Sequence, residues 1–386
     1  MRFALIGPVY PYRGGIAHYT TSLANALIEA GHEVKVFSFS RQYPRWLYPG
    51  KSDKDPSKVY QQVEALYTID TLNPISWIRT ARLISQYRPD LVIFQWWTTF
   101  MAPAFWIMAK TLRAKDFSLT FLIHNLLPHE KKIYDPYITK FTLQTSDAIL
   151  VQSQREMDKV YRLLPKKKVY LHDMPILQLE NTRIEKNEAR LYLGIPISIP
   201  TILFFGIVRP YKGLRDLLIS LAKLREEGFR FHLLIIGEFW ESSLEYTELI
   251  KALEMEKYVH IEDRYVPNED LIYYFSASDF LVAPYREGTQ SAAVKLAIGF
   301  GLPVIISDVI EDNLISSLEN VIKFKTGNIA SLSEAIRKML RDFKNYSLPN
   351  TNELMIAKSW NSLSYTIQKI SNELRNDTKL DTSSFQ

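Results

Sequence analysis

The chain has 386 residues, of which 47% are hydrophobic and 23% charged, and it contains no cysteine. This length and balance predict a folded protein with two domains of roughly 180 residues each. The lack of cysteine excludes disulfides, thiolate nucleophiles and cysteine-bound metals. The formal net charge of +5 favours an anionic partner. We expect a membrane surface rather than nucleic acid, because no nucleic-acid-binding motif accompanies the basic clusters.

The first predicted strand, Phe3 to Gly7, is followed by a loop, then by Gly14 and Gly15, and then by a helix that ends at Gly31. Glycine at a loop-to-helix junction lets a ligand approach the backbone. The loop, which includes Arg13, is neither a G-x-G-x-x-G nor a Walker sequence, and alone it is a weak motif. Because no signal-peptide core precedes this strand, we expect a cytoplasmic protein, peripheral at the inner face of the plasma membrane.

Two segments match the pattern of a metal site and of a membrane-spanning helix, respectively, without the context that either requires. Asp53-Lys54-Asp55 matches the D-x-D pattern of metal-dependent transferases, but no apolar strand precedes it to aim the carboxylates, and we expect no metal there. Residues 91–109 are nearly apolar enough for a membrane-spanning helix, but Gln95 and Pro103 interrupt them. A strand, a turn and a buried helix explain this segment better.

The strand predicted over Leu119 to Ile123 runs into His124, and the polar cluster continues to His129 and Glu130. A lone histidine after a strand is more often structural, because imidazole readily bonds backbone carbonyls in turns. The residues alone therefore leave a structural and a functional role open for His124.

The strand and helix alternation lapses between His172 and Pro200, which indicates a linker between two domains. Beyond it, the strand predicted over Thr201 to Gly206 runs into Arg209 and Lys212. Ligands collect at the carboxyl ends of strands in open α/β sheets, and these two cations suit a diphosphate, the arginine as a planar fork and the lysine as a point charge. An isolated R-x-x-K-G is nevertheless more often a surface loop.

Residues 283–307 predict an acidic loop, a helix and a strand that is buried on both faces. Glu287 stands at the predicted mouth of the helix. Backbone N–H groups at a helix N-terminus point outward and hold anions or polarised hydroxyls. The residues expected to supply them are Gly288, Thr289, Gln290 and Ser291.

These motifs, in this order, resemble those of retaining nucleotide-sugar glycosyltransferases of family 4 (group 1). The resemblance implies the GT-B fold, an α/β architecture of two Rossmann-like domains that face each other across a cleft, with a C-terminal helix that returns to the first domain. On this basis we predict an acceptor-side domain over residues 1–175 and a donor-binding domain over residues 185–350. The returning helix is expected over residues 351–371, and a flexible tail over residues 372–386.

The resemblance also implies roles for individual residues. The predicted catalytic residues are His124 beside the reacting sugar, Arg209 and Lys212 on the donor diphosphate, and Glu287 on the sugar. The predicted donor-binding residues are Gly14, Gly15, Gly206, Gly288, Thr289, Gln290, Ser291 and Lys295. Arg13, His129 and Glu130 are predicted to contact the acceptor or to support the site.

Lys295 departs from the family pattern, which usually has a second glutamate eight residues after the first. An ammonium group only donates hydrogen bonds, so it cannot accept from both hydroxyls of a ribose as a carboxylate does. Two alternatives follow. Either Lys295 pairs with a nearby acid, or it adds positive charge beside the diphosphate.

The implied activity is that of a retaining hexosyltransferase that needs no metal or other cofactor. It would move a sugar from a nucleotide-sugar donor to a hydroxyl of a glycan or lipid-linked acceptor, in the synthesis of cell-surface polysaccharide or glycoconjugates. The alternatives are a GT-B enzyme with a small soluble sugar or sugar-phosphate acceptor, a non-catalytic GT-B homologue, and an unrelated hinged binding protein. Turnover of nucleotide sugars separates the enzymes from the last two.

Overall fold

The structure is a computed structural model that describes residues 1–48, 50–128, 132–179, 184–288, 290–346 and 352–383. The chain divides into two compact units. The first comprises Met1–Asp55, Gln61–Pro175 and Ala357–Gln386, and the second comprises Pro56–Tyr60 and Ile176–Ile356.

The first unit is built on a parallel sheet of seven strands. They are β1 (Arg2–Ile6), β2 (Glu33–Arg41), β3 (Ala65–Asp70), β4 (Leu91–Trp96), β5 (Leu119–Ile123), β6 (Ala148–Val151) and β7 (Lys168–Leu171). Their order across the sheet is β3-β2-β1-β4-β5-β6-β7. The connecting helices are α1 (Gly15–Glu29), α2 (Pro74–Tyr87), α3 (Ala102–Arg113), α4 (Asp135–Leu143) and α5 (Gln154–Leu163). Every residue of β4, β5 and β6 is buried, as helices on both faces of a parallel sheet require.

The second unit has a parallel sheet of six strands. They are β8 (Thr201–Phe205), β9 (His232–Ile236), β10 (Val259–Glu262), β11 (Phe280–Ala283), β12 (Val304–Ser307) and β13 (Val321–Phe324). Their order is β10-β9-β8-β11-β12-β13. The helices are α6 (Lys186–Leu193), α7 (Leu214–Glu226), α8 (Ser243–Ala252), α9 (Asn268–Ala277), α10 (Ala292–Gly299), α11 (Asn313–Ser316) and α12 (Ile329–Asp342).

Two strands escape prediction from the sequence, β3 and β10, and each lies at an edge of its sheet. Both are only partly buried, so neither carries the continuous apolar run that marks the central strands. A short excursion of the chain, Pro56–Tyr60, also joins the second unit. There Ser57 Oγ accepts from the amide of Asn268 at 2.9 Å, and Asn268 Nδ2 donates to the carbonyl of Val59 at 3.1 Å.

The last helix, α13 (Asn352–Ser383), returns to the first unit from Ala357 onward. Tyr170 Oη donates to Glu373 Oε2 at 2.5 Å, and Arg375 Nη1 lies 3.0 Å from Asp90 Oδ1. Residues 372–383, which the sequence assigns to a flexible tail, belong to this helix. The two polar contacts tie its Glu373 and Arg375 to the first unit. None of the described helices combines the length and the apolar composition that crossing a membrane requires.

Candidate active site

His124 lies at the carboxyl end of β5 in the first unit, where its amide donates to the carbonyl of Trp96 at 2.8 Å. Its ring Nε2 donates to Gln95 Oε1, at the end of the neighbouring strand β4, at 2.7 Å. A carboxamide oxygen only accepts hydrogen bonds, so this contact places the imidazole proton on Nε2 and leaves the lone pair on Nδ1. His124 is thereby prepared to accept a hydrogen bond rather than to donate one.

An aromatic wall keeps His124 neutral. The ring of Tyr19, one turn into α1, stands perpendicular to the imidazole with centroids 4.8 Å apart, and Trp360 of α13 packs against Tyr19 at 5.3 Å. Burial lowers the pKa of His124 to about 3. At neutral pH the imidazole therefore carries no charge, which suits contact with a sugar hydroxyl better than contact with a phosphate.

Gln95 itself occupies a fully buried position that requires a glycine beside it. A Cβ at Gly7 would lie 2.6 Å from Gln95 Cγ and 3.2 Å from Thr20 Oγ1. Among the described residues, Gln95 Nε2 has no hydrogen-bond partner, so one buried donor remains beside His124. From the sequence, Gln95 is predicted only to interrupt an apolar segment. Its position, as a polar residue near the end of an otherwise apolar strand, is the signal that could have identified it.

The glycine loop before α1 is placed as the sequence predicts. Gly14 has a φ of +103°, which favours glycine, and its carbonyl accepts from the amide of Ala17 at 3.1 Å. Within the described part of the chain, no side chain caps the start of α1. Arg13 does not extend freely, because its Nε donates to Tyr48 Oη at 2.8 Å and its guanidinium lies 5.2 Å from the centre of that ring.

The D-x-D sequence has a structural role. The carbonyl of Asp53 accepts from the amide of Arg13 at 3.1 Å, and the amide of Asp55 donates to the carbonyl of Pro11 at 2.8 Å. The Asp55 side chain is buried, with Oδ2 3.7 Å from His18 Nε2. Within the described ranges, no group of three or more histidine, aspartate or glutamate side chains is arranged to hold a metal ion.

In the second unit, Lys212 lies at the carboxyl end of β8 and is nearly buried. A Cβ at Gly206, whose φ is +107°, would lie 2.6 Å from Lys212 Nζ, so the glycine makes room for the ammonium group. Nζ also lies 5.2 Å from the centre of the Tyr285 ring. Burial lowers the pKa of Lys212, and no carboxylate of the described residues forms an ion pair with it.

Arg209 precedes the short 3-10 turn that carries Lys212. Its guanidinium carbon lies 5.5 Å from the centre of the Trp240 ring and 6.0 Å from that of Tyr211. Aromatic faces attract a guanidinium without consuming its fork of donors. Both predicted diphosphate ligands therefore lie on one loop, and aromatic rings accompany each of them.

The loop that carries Glu287 is anchored to the Lys212 loop. Arg286 Nη2 lies 2.6 Å from Asp216 Oδ1 in the first turn of α7, and Arg286 Nε donates to Asp216 Oδ2 at 2.9 Å. The amide of Arg286 donates to the carbonyl of Tyr211 at 2.6 Å. Glu287 itself is exposed. Arg286 and Asp216 are not predicted from the sequence, because their pairing depends on tertiary contact.

The helix α10 begins at Ala292, later than the sequence predicts. Ser291 is its N-cap and accepts from the amide of Val294 at 3.2 Å, while its own hydroxyl donates to Tyr285 Oη at 3.1 Å. Gln290 Nε2 donates to the carbonyl of Glu311 at 3.0 Å. The amides of Gly288, Gln290 and Ser291 thus belong to the loop and the cap rather than to the first helical turn.

Three predicted site residues, Thr289, His129 and Glu130, lie outside the described residues. Gly288 has a φ of +103° and continues the exposed loop beyond Glu287. Gly15 begins α1.

Lys295 differs from its prediction as a donor-binding residue. Its Nζ lies 2.6 Å from Asp312 Oδ2, and both side chains are fully buried. Asp312 Oδ1 in turn accepts from the amide of Ile315 and caps α11. A buried charge requires a partner, and Asp312 is the partner of the Lys295 ammonium group. Of the two alternatives drawn from the sequence, the pairing with an acid is the one that the structure contains.

Both halves of the chain match known family models. Residues 13–171 match the model described as glycosyltransferase family 4, and residues 199–342 match the model described as glycosyl transferases group 1. The chain belongs to glycosyltransferase family 4 (group 1). No curated protein sequence matches it.

Several solved structures share the fold of this glycosyltransferase over its full length. Sucrose-phosphate synthase from Thermosynechococcus elongatus is 16% identical, with 100% of each chain covered and a TM-score of 0.66. HepE from Anabaena, solved with UDP and glucose, is 14% identical, with 99% of each chain covered and a TM-score of 0.65. The lipopolysaccharide outer core galactosyltransferase WaaB is 14% identical, with 95% of this chain and 99% of that chain covered and a TM-score of 0.62. Identities this low establish a common fold, GT-B, and not a common substrate.

Proposed function

We propose that this glycosyltransferase moves a sugar from a nucleotide-sugar donor to a hydroxyl of a glycan or lipid-linked acceptor. The transfer retains the configuration at the anomeric carbon and uses no divalent metal. The observation that carries the proposal is Lys212, a nearly buried cation with no carboxylate partner among the described residues, next to a glycine that leaves its ammonium group room. A buried charge without a counter-ion is costly, and a bound diphosphate supplies one.

Stabilisation of the leaving diphosphate is the principal catalytic effect in this proposal. Negative charge grows on the bridging oxygen as the bond between the sugar and the phosphate breaks. Lys212 and Arg209 are already in place when that charge develops, so the protein does not have to reorganise around it. The same two cations supply the charge that a divalent metal supplies in other transferases.

His124 and Glu287 are assigned to the sugar. Neutral His124 accepts a hydrogen bond at Nδ1 from a sugar hydroxyl, in the tautomer that Gln95 selects. Glu287, which the Arg286–Asp216 pair holds in place, accepts from further hydroxyls. No protein nucleophile is required if the acceptor hydroxyl attacks on the face from which the diphosphate leaves, and the diphosphate then takes the acceptor's proton.

The acceptor is proposed to be a glycan or glycolipid at the cytoplasmic face of a membrane, in the synthesis of polysaccharide or glycoconjugates. Support comes from the galactosyltransferase of the lipopolysaccharide outer core, which has the same fold. The likeness to sucrose-phosphate synthase keeps a small soluble acceptor as the competing candidate.

A panel of nucleotide sugars tests the donor, first by thermal shift and then by turnover with lipid-linked and sugar-phosphate acceptors in parallel. We expect one donor to be consumed with the lipid-linked acceptor, with activity that persists in EDTA and a product of retained configuration by NMR. An inverted product, or activity that EDTA abolishes and magnesium restores, would contradict the mechanism. Turnover with the sugar phosphate alone would replace the proposed acceptor with the competing one.

A further inference from the structure

The helix α4 is amphipathic, but it buries its polar face and exposes its apolar face, whereas a helix that packs on a core does the reverse. The side chains that it buries are mostly polar, and they include Asp135, Thr139 and Thr142. Its exposed face is apolar: the side chain of Tyr137 is 75% exposed and that of Phe141 57%. We call the exposed residues the α4 stripe. They are Ile133, Tyr134, Tyr137, Ile138 and Phe141.

The spacing of the stripe is that of a continuous helical face. From Tyr134, its members recur three, four and seven residues later, which places them side by side. Ile133, just before the helix, is 91% exposed. Single exposed apolar residues are ordinary, but a contiguous apolar face of this kind marks an interaction surface.

Contacts beneath the helix fix which face it presents. Asp135 Oδ1 accepts from Thr99 Oγ1 at 2.7 Å, and Asp135 Oδ2 accepts from the amide of Lys132 at 2.7 Å. On α3, the ring of Trp106 stacks on Phe141 with centroids 5.0 Å apart. Rotating the helix to bury the stripe would break the hydrogen bond between Thr99 and Asp135 and separate Phe141 from Trp106, so the apolar face stays outward.

The charges around the stripe identify its partner. Lys132 and Lys140 are exposed in the same segment, and Lys110 is exposed one turn beyond Trp106 on α3. Between residues 132 and 146 the only acidic residue is Asp135, which is buried. Aromatic and aliphatic side chains flanked by lysines suit the headgroup region of an anionic bilayer. A second copy of the chain would bring the same lysines together and would be repelled.

We propose that the α4 stripe inserts into the headgroup region of an anionic membrane and that the flanking lysines contact lipid phosphates. This inference names the membrane partner of the proposed glycolipid-using transferase and takes its biological purpose from that proposed function. The binding itself depends only on α4 and its surroundings.

Sedimentation with phosphatidylcholine vesicles, with and without phosphatidylglycerol, tests the surface. We expect the wild type to bind only the anionic vesicles. Tyr137→Ser/Phe141→Ser should weaken that binding by about tenfold or more, because apolar area no longer enters the bilayer. Lys132→Gln/Lys140→Gln should weaken it by about fivefold per lysine at low salt. The matched control Ile75→Ser/Tyr365→Ser removes apolar side chains of similar exposure from α2 and α13 and should bind as the wild type does.

A fluorescence readout reports insertion directly. In Tyr137→Trp, the indole emission, taken as the difference from the wild type with its seven tryptophans, should shift to shorter wavelength on anionic vesicles and should not shift on neutral ones. Wild-type affinity in the stripe variant would overturn the proposal, as would a stripe variant that only converts a dimer into a monomer. Turnover with a soluble acceptor should be equal in the stripe variant and the wild type. A protein that binds vesicles through the stripe but transfers no sugar would refute the proposed function and leave the docking surface standing.

Discussion

Lys295 Nζ lies 2.6 Å from Asp312 Oδ2, and neither side chain has any exposed surface. The position where related sequences usually have a ribose-binding glutamate thus holds half of a buried ion pair. Removing one partner of such a pair leaves an uncompensated charge in the interior, which costs far more than removing both. The pair therefore constrains the local structure, and in the proposed function we expect other residues to hold the ribose.

Lys295→Met should lower the free energy of unfolding by about 3–5 kcal/mol, because Asp312 stays buried without its partner. The double variant Lys295→Met/Asp312→Asn should recover most of that loss, since asparagine can still cap α11. Denaturant unfolding measures both. The preference for a ribonucleotide over a 2′-deoxyribonucleotide donor should be the same in the double variant and the wild type. A preference lost in the double variant would return Lys295 to the donor site.

Gln95 is predicted to control the chemistry of His124 through its tautomer. In Gln95→Leu the hydrogen bond to Nε2 is lost, and kcat/KM should fall between about fivefold and about hundredfold. In Gln95→Glu a carboxylate faces Nε2, which raises the pKa of His124 and should introduce an inflection in the pH dependence of kcat/KM. Nitrogen NMR of the imidazole reports the tautomer. An unchanged spectrum and pH profile in both variants would show that Gln95 only fills space.

The buried histidines predict how stability depends on pH. Burial lowers the pKa of His124 from 6.5 to about 3, and that of His232 in the second unit from 6.5 to about 4. Because the pKa of each histidine is lower in the folded than in the unfolded protein, the unfolded state binds the proton first as the pH falls. The free energy of unfolding is therefore unaffected by these histidines above pH 6.5 and decreases below it. Each histidine contributes a slope of about 1.4 kcal/mol per pH unit there.

His124→Gln should reduce the pH dependence of the free energy of unfolding of the first unit by about 1.4 kcal/mol per pH unit between pH 6.5 and pH 5. His232→Gln should do the same for the second unit. The carboxylates of Asp70 and Glu262 have pKa values lowered from their ordinary 3.8 and 4.5, so they titrate mainly below this window. Urea unfolding at several pH values measures the slope. A slope that neither substitution changes would contradict the assignment of the acid sensitivity to these rings.

Alanine substitutions at Gly206 and Gly228 distinguish the effect of backbone strain from the effect of displacing Lys212. Gly206 and Gly228 have positive φ angles of +107° and +90°, so alanine is strained at both. Only at position 206 would the new Cβ meet a neighbour, Lys212 Nζ at 2.6 Å. Gly206→Ala should therefore weaken binding of a nucleoside diphosphate, whereas Gly228→Ala should lose stability but keep that affinity. Isothermal titration measures the affinity of both variants for the nucleoside diphosphate. Equal affinities would show that Gly206 has no role in anion binding.

The sequence predicts the central architecture because the central strands are buried on both faces and read as continuous apolar runs. The edge strands β3 and β10 are half-exposed and lack that signal. The site shows the same division. Arg209, Lys212 and Glu287 lie beside strand ends and can be found from local motifs. The pairings of Lys295 with Asp312 and of His124 with Gln95 join separate elements, and no local pattern specifies them.

The helix α4 is a case in which the periodicity alone would mislead. A stripe at helical spacing ordinarily predicts the face that packs on the core. Here the polar face is buried instead, because the Asp135 side chain accepts hydrogen bonds from Thr99 and from the backbone of Lys132. Only the tertiary structure shows which side of this helix is free.

The role of Lys212 on the leaving diphosphate is tested by turnover of the best nucleotide sugar by Lys212→Met, with Lys223→Met as the control. Methionine fills the same nearly buried space without charge, while Lys223 is an exposed lysine of α7 in the same unit. We expect kcat/KM to fall about hundredfold or more in Lys212→Met, with normal folding, and to stay at the wild-type value in Lys223→Met. Wild-type turnover in a folded Lys212→Met protein would contradict the assignment of this cation to the leaving diphosphate.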